Sequence, residues 1–170
     1  TGTRSKLLAI IANLRGAEEA VAFNEITYLG FPFSVSETFQ QRNTNSSIAE
    51  SFETVQKIQS LCNANKKELV IYISMGFGNP YGDEWNAEIV SNWADKMSKI
   101  GIKIMALSDT IGVSNPENIT YIYSNLSKEH PDVEFGVHLH STPSTRAEKI
   151  DAAWKAGCRR FDSALKGFGG

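Results

Sequence analysis

Two histidines one residue apart, His138 and His140, follow the apolar run Val133-Glu134-Phe135-Gly136-Val137. On a strand, side chains at i and i+2 leave the same face with their Cβ atoms about 6–7 Å apart. A neutral imidazole nitrogen ligates a divalent metal at about 2 Å, so one small cation fits between two such rings. The plainer alternative is a pair of hydrogen-bonded histidines at a strand end. Leu139, between them, faces the other way, as it should if helices cover the outside of the sheet. Asp109 closes another apolar run, Ile104-Met105-Ala106-Leu107-Ser108. A carboxylate there serves as a base or a cation ligand, or else as an ordinary turn cap. Asn13, Glu37, Tyr72, Ser74, Thr110 and Asp162 also stand at or just beyond the ends of apolar runs. Asp162 either points inward or pairs with its neighbours Arg159 and Arg160, and Glu37 is either a rim acid or a solvated one. The glycine-rich stretch Gly76–Gly82 has the composition of a phosphate cradle and equally of a simple turn.

The elements that must position these residues alternate along the chain. Lys6–Asn13, Ile26–Phe33, Leu69–Met75, Ile102–Leu107, the histidine run and Arg160–Leu165 read as six strands. The first of them is expected to be buried on both faces. Helices are predicted over 16–23, from Ser47, over 86–100, from about Pro116, and from near Pro143 to Ala156-Gly157, with a polar stretch over 34–45. Ser47 and Glu50 have the spacing of a capping box, and Ser114 and Glu117 are the expected capping pair of the fourth helix. Six strands alternating with five helices imply parallel βαβ architecture. Asn13-Leu14-Arg15-Gly16 supplies no Gly-x-Gly-x-x-Gly turn, which argues against a dinucleotide-binding sheet. Polar residues after nearly every strand favour a (β/α)8 barrel with its site at the C-terminal rim. Such a barrel typically takes about 250 residues and eight strands. The 170 residues therefore read as one partial TIM-barrel domain over 1–170, with about six of eight strands.

With 41 % hydrophobic residues, 21 % charged residues and a formal net charge of −2, the chain has the composition of an ordinary globular protein. That charge gives no support for a nucleic-acid partner, which would call for a basic stripe or patch, and none is expected. No apolar run approaches the ~20 residues that cross a bilayer, and no membrane partner is expected. Cys62 and Cys158 are too few for a disulfide framework and are expected as buried thiols, with the cytoplasm as the default compartment.

In order, Asn13-Leu14-Arg15-Gly16, Tyr72-Ile73-Ser74, Ser108-Asp109-Thr110-Ile111-Gly112, His138-Leu139-His140 and Gly167-Phe168-Gly169-Gly170 resemble the hydroxymethylglutaryl-CoA lyases. The resemblance runs over essentially the whole chain, from the family's third barrel strand to its eighth. Isopropylmalate and homocitrate synthases share the His-x-His strand, whereas the closing Gly-x-Gly-Gly is more particular to the lyases. The resemblance implies divalent-metal-assisted retro-Claisen cleavage of 3-hydroxy-3-methylglutaryl-CoA to acetyl-CoA and acetoacetate. It implies Mg2+ or Mn2+ on His138 and His140, His138 and Asp109 as catalytic groups, and Asn13, Tyr72 and Thr110 as substrate contacts. Asp109 would be an acid/base or an orienting group. An acyl-CoA substrate and a homodimer of the full-length protein are implied as partners. The family's first-strand Arg-Asp pair has no counterpart here, its loop cysteine and asparagine ligand would lie after Gly170, and Ser141 replaces a frequent acid or amide. This stretch alone is therefore expected to be inactive. The alternatives are an acetyl-CoA-dependent Claisen-type synthase and a non-catalytic barrel piece acting as a scaffold.

Overall fold

Residues 3–167 are described by the structure, a computed structural model, so Phe168-Gly169-Gly170 of the glycine motif lie outside the described residues. Five strands, β1 (Leu7–Ile10), β2 (Ile26–Ser34), β3 (Glu68–Ser74), β4 (Ile104–Asp109) and β5 (Glu134–Leu139), form one parallel sheet in the order 1-2-3-4-5. Six helices connect or follow them: α1 (Leu14–Val21), α2 (Glu37–Thr44), α3 (Ile48–Ala64), α4 (Ala87–Lys99), α5 (Pro116–Glu129) and α6 (Arg146–Lys155). The strand order never reverses, so the sheet has no switch point of the doubly wound kind. It is an arc of a (β/α)8 barrel.

The two-residue period of each strand sorts its side chains onto two faces. Leu29, Phe31 and Phe33 of β2, Ile71 and Ile73 of β3, Met105 and Leu107 of β4, and Phe135 and Val137 of β5 are buried in one cluster. Val55 and Ile58 of α3, Val90 and Met97 of α4, and Ile119 and Ile122 of α5 complete that cluster, so the helices cover this outer face. The opposite parity forms the inner face, where Pro32 pairs with Tyr72, Tyr72 with Ala106, and Ser108 with His138. Two inner-face glycines are required by close approach. A Cβ on Gly30 would stand 2.6 Å from Ile10 Cδ1 and 2.9 Å from Tyr72 Cε2, and one on Gly136 2.8 Å from Arg160 Cγ. Tyr72 and Arg160 lie across the sheet in the space those glycines leave.

Several expectations are corrected. The sixth strand is absent: Arg160–Leu165 makes a single bridge, Phe161 opposite Val137, and then a 3-10 turn over Leu165–Gly167. Phe161 packs against the core, but Leu165 is 93 % exposed and the ladder does not extend to it. The first strand is shorter than Lys6–Asn13 and is not buried on both faces, since Leu7 and Ile10 are 55 % and 64 % exposed. It is an edge strand whose side chains are covered from one side only. The polar stretch contains α2, which has no apolar period to announce it but is capped by Ser36. The fourth expected helix is capped by the box of Asn115 and Asn118 rather than by Ser114 and Glu117. The box of Ser47 and Glu50 on α3 is as the spacing predicts.

Both cysteines are free and buried, and burial pushes the Cys62 thiol up to about 11. Among the described residues no helix is long and apolar enough to cross a membrane.

Candidate active site at the end of the histidine strand

β5 carries His138 to the inner face near its C-terminal end. Beside it, the Val137 amide donates to the Arg160 carbonyl and the Asp162 amide donates to the Val137 carbonyl, which fixes Asp162 next to the ring. His138 Nδ1 lies 3.0 Å from Asp162 Oδ2. An ionised carboxylate only accepts, so Nδ1 is the donor of this pair and Nε2 is the ring nitrogen left facing away from it. The Tyr72 ring meets His138 edge to face, with centroids 5.8 Å apart and planes at 87°. The His140 ring follows at a centroid distance of 5.5 Å. The His138 and Asp162 side chains are 41 % and 28 % exposed, so the cluster opens to solvent. Burial, then the neighbouring Asp162 charge, raises the Tyr72 hydroxyl to about 12 and keeps it a proton donor.

Arg159 and Arg160 do not take Asp162. The Arg159 guanidinium stacks 3.8 Å from the Trp154 ring centroid, and Arg160 reaches Glu134 at 3.7 Å. The donor set fits a divalent cation in part. Two imidazoles share a face, and one of them is already oriented by a carboxylate in the manner of ligating histidines. No group of three His, Cys, Asp or Glu residues that could hold a metal is present among the described residues, so a cation here needs further ligands.

Asp109 is not brought to this cluster. It pairs with Leu139 in the β4–β5 register, and its side chain therefore shares the outer face with Leu139. There it is wholly enclosed. Lys149 Nζ of α6 donates to Oδ2 at 2.8 Å, Ser114 Oγ donates to Oδ2 at 2.6 Å, and the Ser114 amide donates to Oδ1 at 3.1 Å. Ser114, expected as a helix cap, spends its hydrogen bonds on this carboxylate.

Thr110 ties two strand ends together, because its Oγ1 accepts from the Met75 amide at 2.8 Å. Met75 holds a left-handed φ of 58° at that junction. Asn13 caps α1, accepting from the Gly16 amide at 2.9 Å, and is remote in sheet order from β5. Glu37, exposed just beyond the end of β2, accepts from the Ile48 amide at the start of α3, so it is not purely solvated. The glycine-rich loop is folded around Asn79, which accepts from the Tyr81 and Asp83 amides. Asp83 in turn accepts from the Ser36 hydroxyl and from the Thr38 amide and hydroxyl, bonds that hold its carboxyl below the usual range. A cavity of about 590 Å³ runs along the β1 edge beside α1, lined by Ile10, Ile11, Asn13 and Phe23 among others, away from the histidines.

Sequence reasoning left Asp162 between two readings and passed over Lys149. A lysine two positions before Asp151 on an amphipathic helix looks like any solvated charge, and only the packing of α6 against the β4 loop distinguishes it.

The comparisons with known proteins agree with this architecture. The family model described as HMGL-like matches residues 2–170. The hydroxymethylglutaryl-CoA lyase YngG of Bacillus subtilis is 30 % identical over 166 residues, covering 95 % of this chain and 54 % of that protein. The solved hydroxymethylglutaryl-CoA lyase of Pseudomonas aeruginosa superimposes with a TM-score of 0.89 at 27 % identity, over 100 % of this chain and 56 % of its own. The HMG-CoA lyase of Acinetobacter baumannii, solved with coenzyme A and 3-methylmalate, gives a TM-score of 0.88 at 29 % identity, over 99 % and 55 %. The chain spans about half the length of the curated relatives it matches.

Proposed function

The chain belongs to the HMGL-like family, and on that premise we propose that it forms part of the catalytic barrel of a hydroxymethylglutaryl-CoA lyase. The reaction is retro-Claisen cleavage of 3-hydroxy-3-methylglutaryl-CoA to acetyl-CoA and acetoacetate. The observation that carries the reading is the inner-face cluster of His138, His140, Asp162 and Tyr72. His138 and His140, with ligands from elsewhere in the barrel, would hold a divalent cation, Mg2+ or Mn2+, which would supply polarisation of substrate oxygens.

The chain's own residues have separable roles. Cleavage begins when the tertiary hydroxyl of the substrate gives up its proton, and it leaves an acetyl-CoA enolate that must be protonated at carbon. His138, oriented by Asp162, is the proposed relay for such a proton. Tyr72, protonated across the physiological range, donates a hydrogen bond toward a substrate oxygen. Thr110 accepts from the Met75 amide and retains its hydroxyl proton for donation. The side-chain amide of Asn13, with Oδ1 engaged on α1, is the last proposed substrate contact. Of the two roles expected for Asp109, the enclosed carboxylate supports the orienting one.

An acyl-CoA is the proposed partner, supported by the relative solved with coenzyme A, and the proposed assembly is a homodimer. The proposed compartment is the cytoplasm, on the buried free thiols of Cys62 and Cys158. The test is to supply the full-length enzyme with 3-hydroxy-3-methylglutaryl-CoA and Mg2+ and to follow acetoacetate by NMR. Acetoacetate and acetyl-CoA in equal amounts support the lyase. Thiol release from acetyl-CoA with a 2-oxo acid, and no cleavage, makes the protein a synthase. Neither reaction, with no metal bound, leaves a scaffold.

A further inference from the structure

β5 ends at Leu139, so the sheet ladder that fixes His138 does not extend to His140. Something else must set the backbone that aims the second ring. The His140 carbonyl accepts from Lys149 Nζ at 2.9 Å, and the same ammonium donates to Asp109 Oδ2 at 2.8 Å and to the Gly112 carbonyl at 3.2 Å. An ammonium has three protons, and three acceptors take them. The Lys149 side chain is 4 % exposed and that of Asp109 is fully enclosed. Gly112, at φ 75°, brings the β4–α5 loop against His140, its Cβ position being 3.7 Å from the His140 carbonyl oxygen.

We infer that Lys149 is a positioning residue for His140: with Asp109 as its fixed counter-charge, it clamps the end of β5 to the β4–α5 loop and so holds the second imidazole beside the first. Lys149 touches neither ring and is not catalytic. The inference rests on the proposal that the two imidazoles share a cation, and it names what keeps them at ligating separation. A surface lysine in the same helix would leave the His140 backbone to move with the loop that follows it.

The test uses the metal-free chain first. In 15N relaxation, the His140 amide should show an order parameter near the ~0.85 of rigid backbone, with mobility beginning only after it. A value below about 0.6 would mean that nothing clamps it, and the inference fails. Next come Lys149→Met and the double variant Asp109→Asn/Lys149→Met, whose second change removes the stranded buried charge. In the folded variant the ring resonances of His140 should move or broaden while those of His138 stay in place. Zn2+ affinity by calorimetry should fall about tenfold or more, the range for groups that orient ligands. Unchanged His140 resonances and unchanged Zn2+ affinity in a folded variant overturn the inference. If the wild-type chain binds no Zn2+, the metal reading falls, and the order parameter of His140 still decides the clamp.

Discussion

At the C-terminal ends of β4 and β5, Asp109 of β4 goes to the outer face and His138 of β5 to the inner one, and the clusters around them are built on opposite plans. On the outer face Asp109, Lys149 and Ser114 satisfy one another together with the Gly112 and His140 carbonyls and are closed to solvent. On the inner face His138, Asp162, Tyr72 and His140 are half open, and His138 keeps a ring nitrogen without a partner among the described residues. Residue type does not separate the two, since an aspartate beside a basic group occurs in both. Spare valence and access do: a group whose every donor and acceptor is already used has nothing left to offer a substrate. The outer cluster is therefore framework, and the inner one is the place for chemistry.

Removing one partner from each cluster should expose that contrast, and the outer face should respond most in stability. Lys149→Met leaves Asp109 charged and enclosed without its counter-ion, a change that costs about 3–5 kcal/mol. Urea unfolding of the single variant should show that loss, and Asp109→Asn/Lys149→Met should recover much of it. A single variant as stable as wild type would mean that the pair is not framework. Next in size, His140→Ala in the complete enzyme should lower metal affinity and turnover by about 100-fold or more, beyond what the loss of an orienting group costs, while the far-UV spectrum stays unchanged. Wild-type turnover in that variant would remove His140 from the ligand set. Asp162→Asn keeps the shape but weakens the acceptor of His138 Nδ1, and a loss of 10–100-fold in metal affinity is expected. Its thermal midpoint should hardly move, because the pair is partly exposed.

The smallest effect is one of pH. The Tyr72 hydroxyl is raised to about 12 in the fold against about 10 in the unfolded chain, by burial and then by Asp162. A raised folded value means that its contribution is intact below about pH 10 and is lost as pH climbs toward 12, because the unfolded chain ionises first. Absorbance titration of wild type against Tyr72→Phe should place the missing phenol near 12. A transition near 10 would show Tyr72 to be solvated, and the inner cluster to be looser than described.

The framework was largely legible because it is local. Continuous apolar runs such as Leu69–Met75 and Ile26–Phe33 mark strands that are paired on both sides, and Ser47 with Glu50 marks a helix start within four residues. The one-residue spacing of His138 and His140 also survived into three dimensions as a ring pair. What a sequence does not carry is register. Whether Asp109 stands with His138 or with Leu139 depends on a one-position choice in how β4 meets β5, and that choice sends the carboxylate to the outer face. Burial is equally silent in the sequence for Lys149, because a lysine is read as wet until its neighbours are known. α2 escaped for a different reason: with Phe39 its one apolar residue, it is held by the Ser36 cap and by Asp83 rather than by an apolar stripe.

The most direct measurement is an anomalous difference map from crystals of the complete enzyme grown with Mn2+. The inner-face account predicts a single strong peak about 2 Å from a ring nitrogen of both His138 and His140. A peak beside the Asp109 carboxylate, or one that leaves both imidazoles uncoordinated, would contradict it.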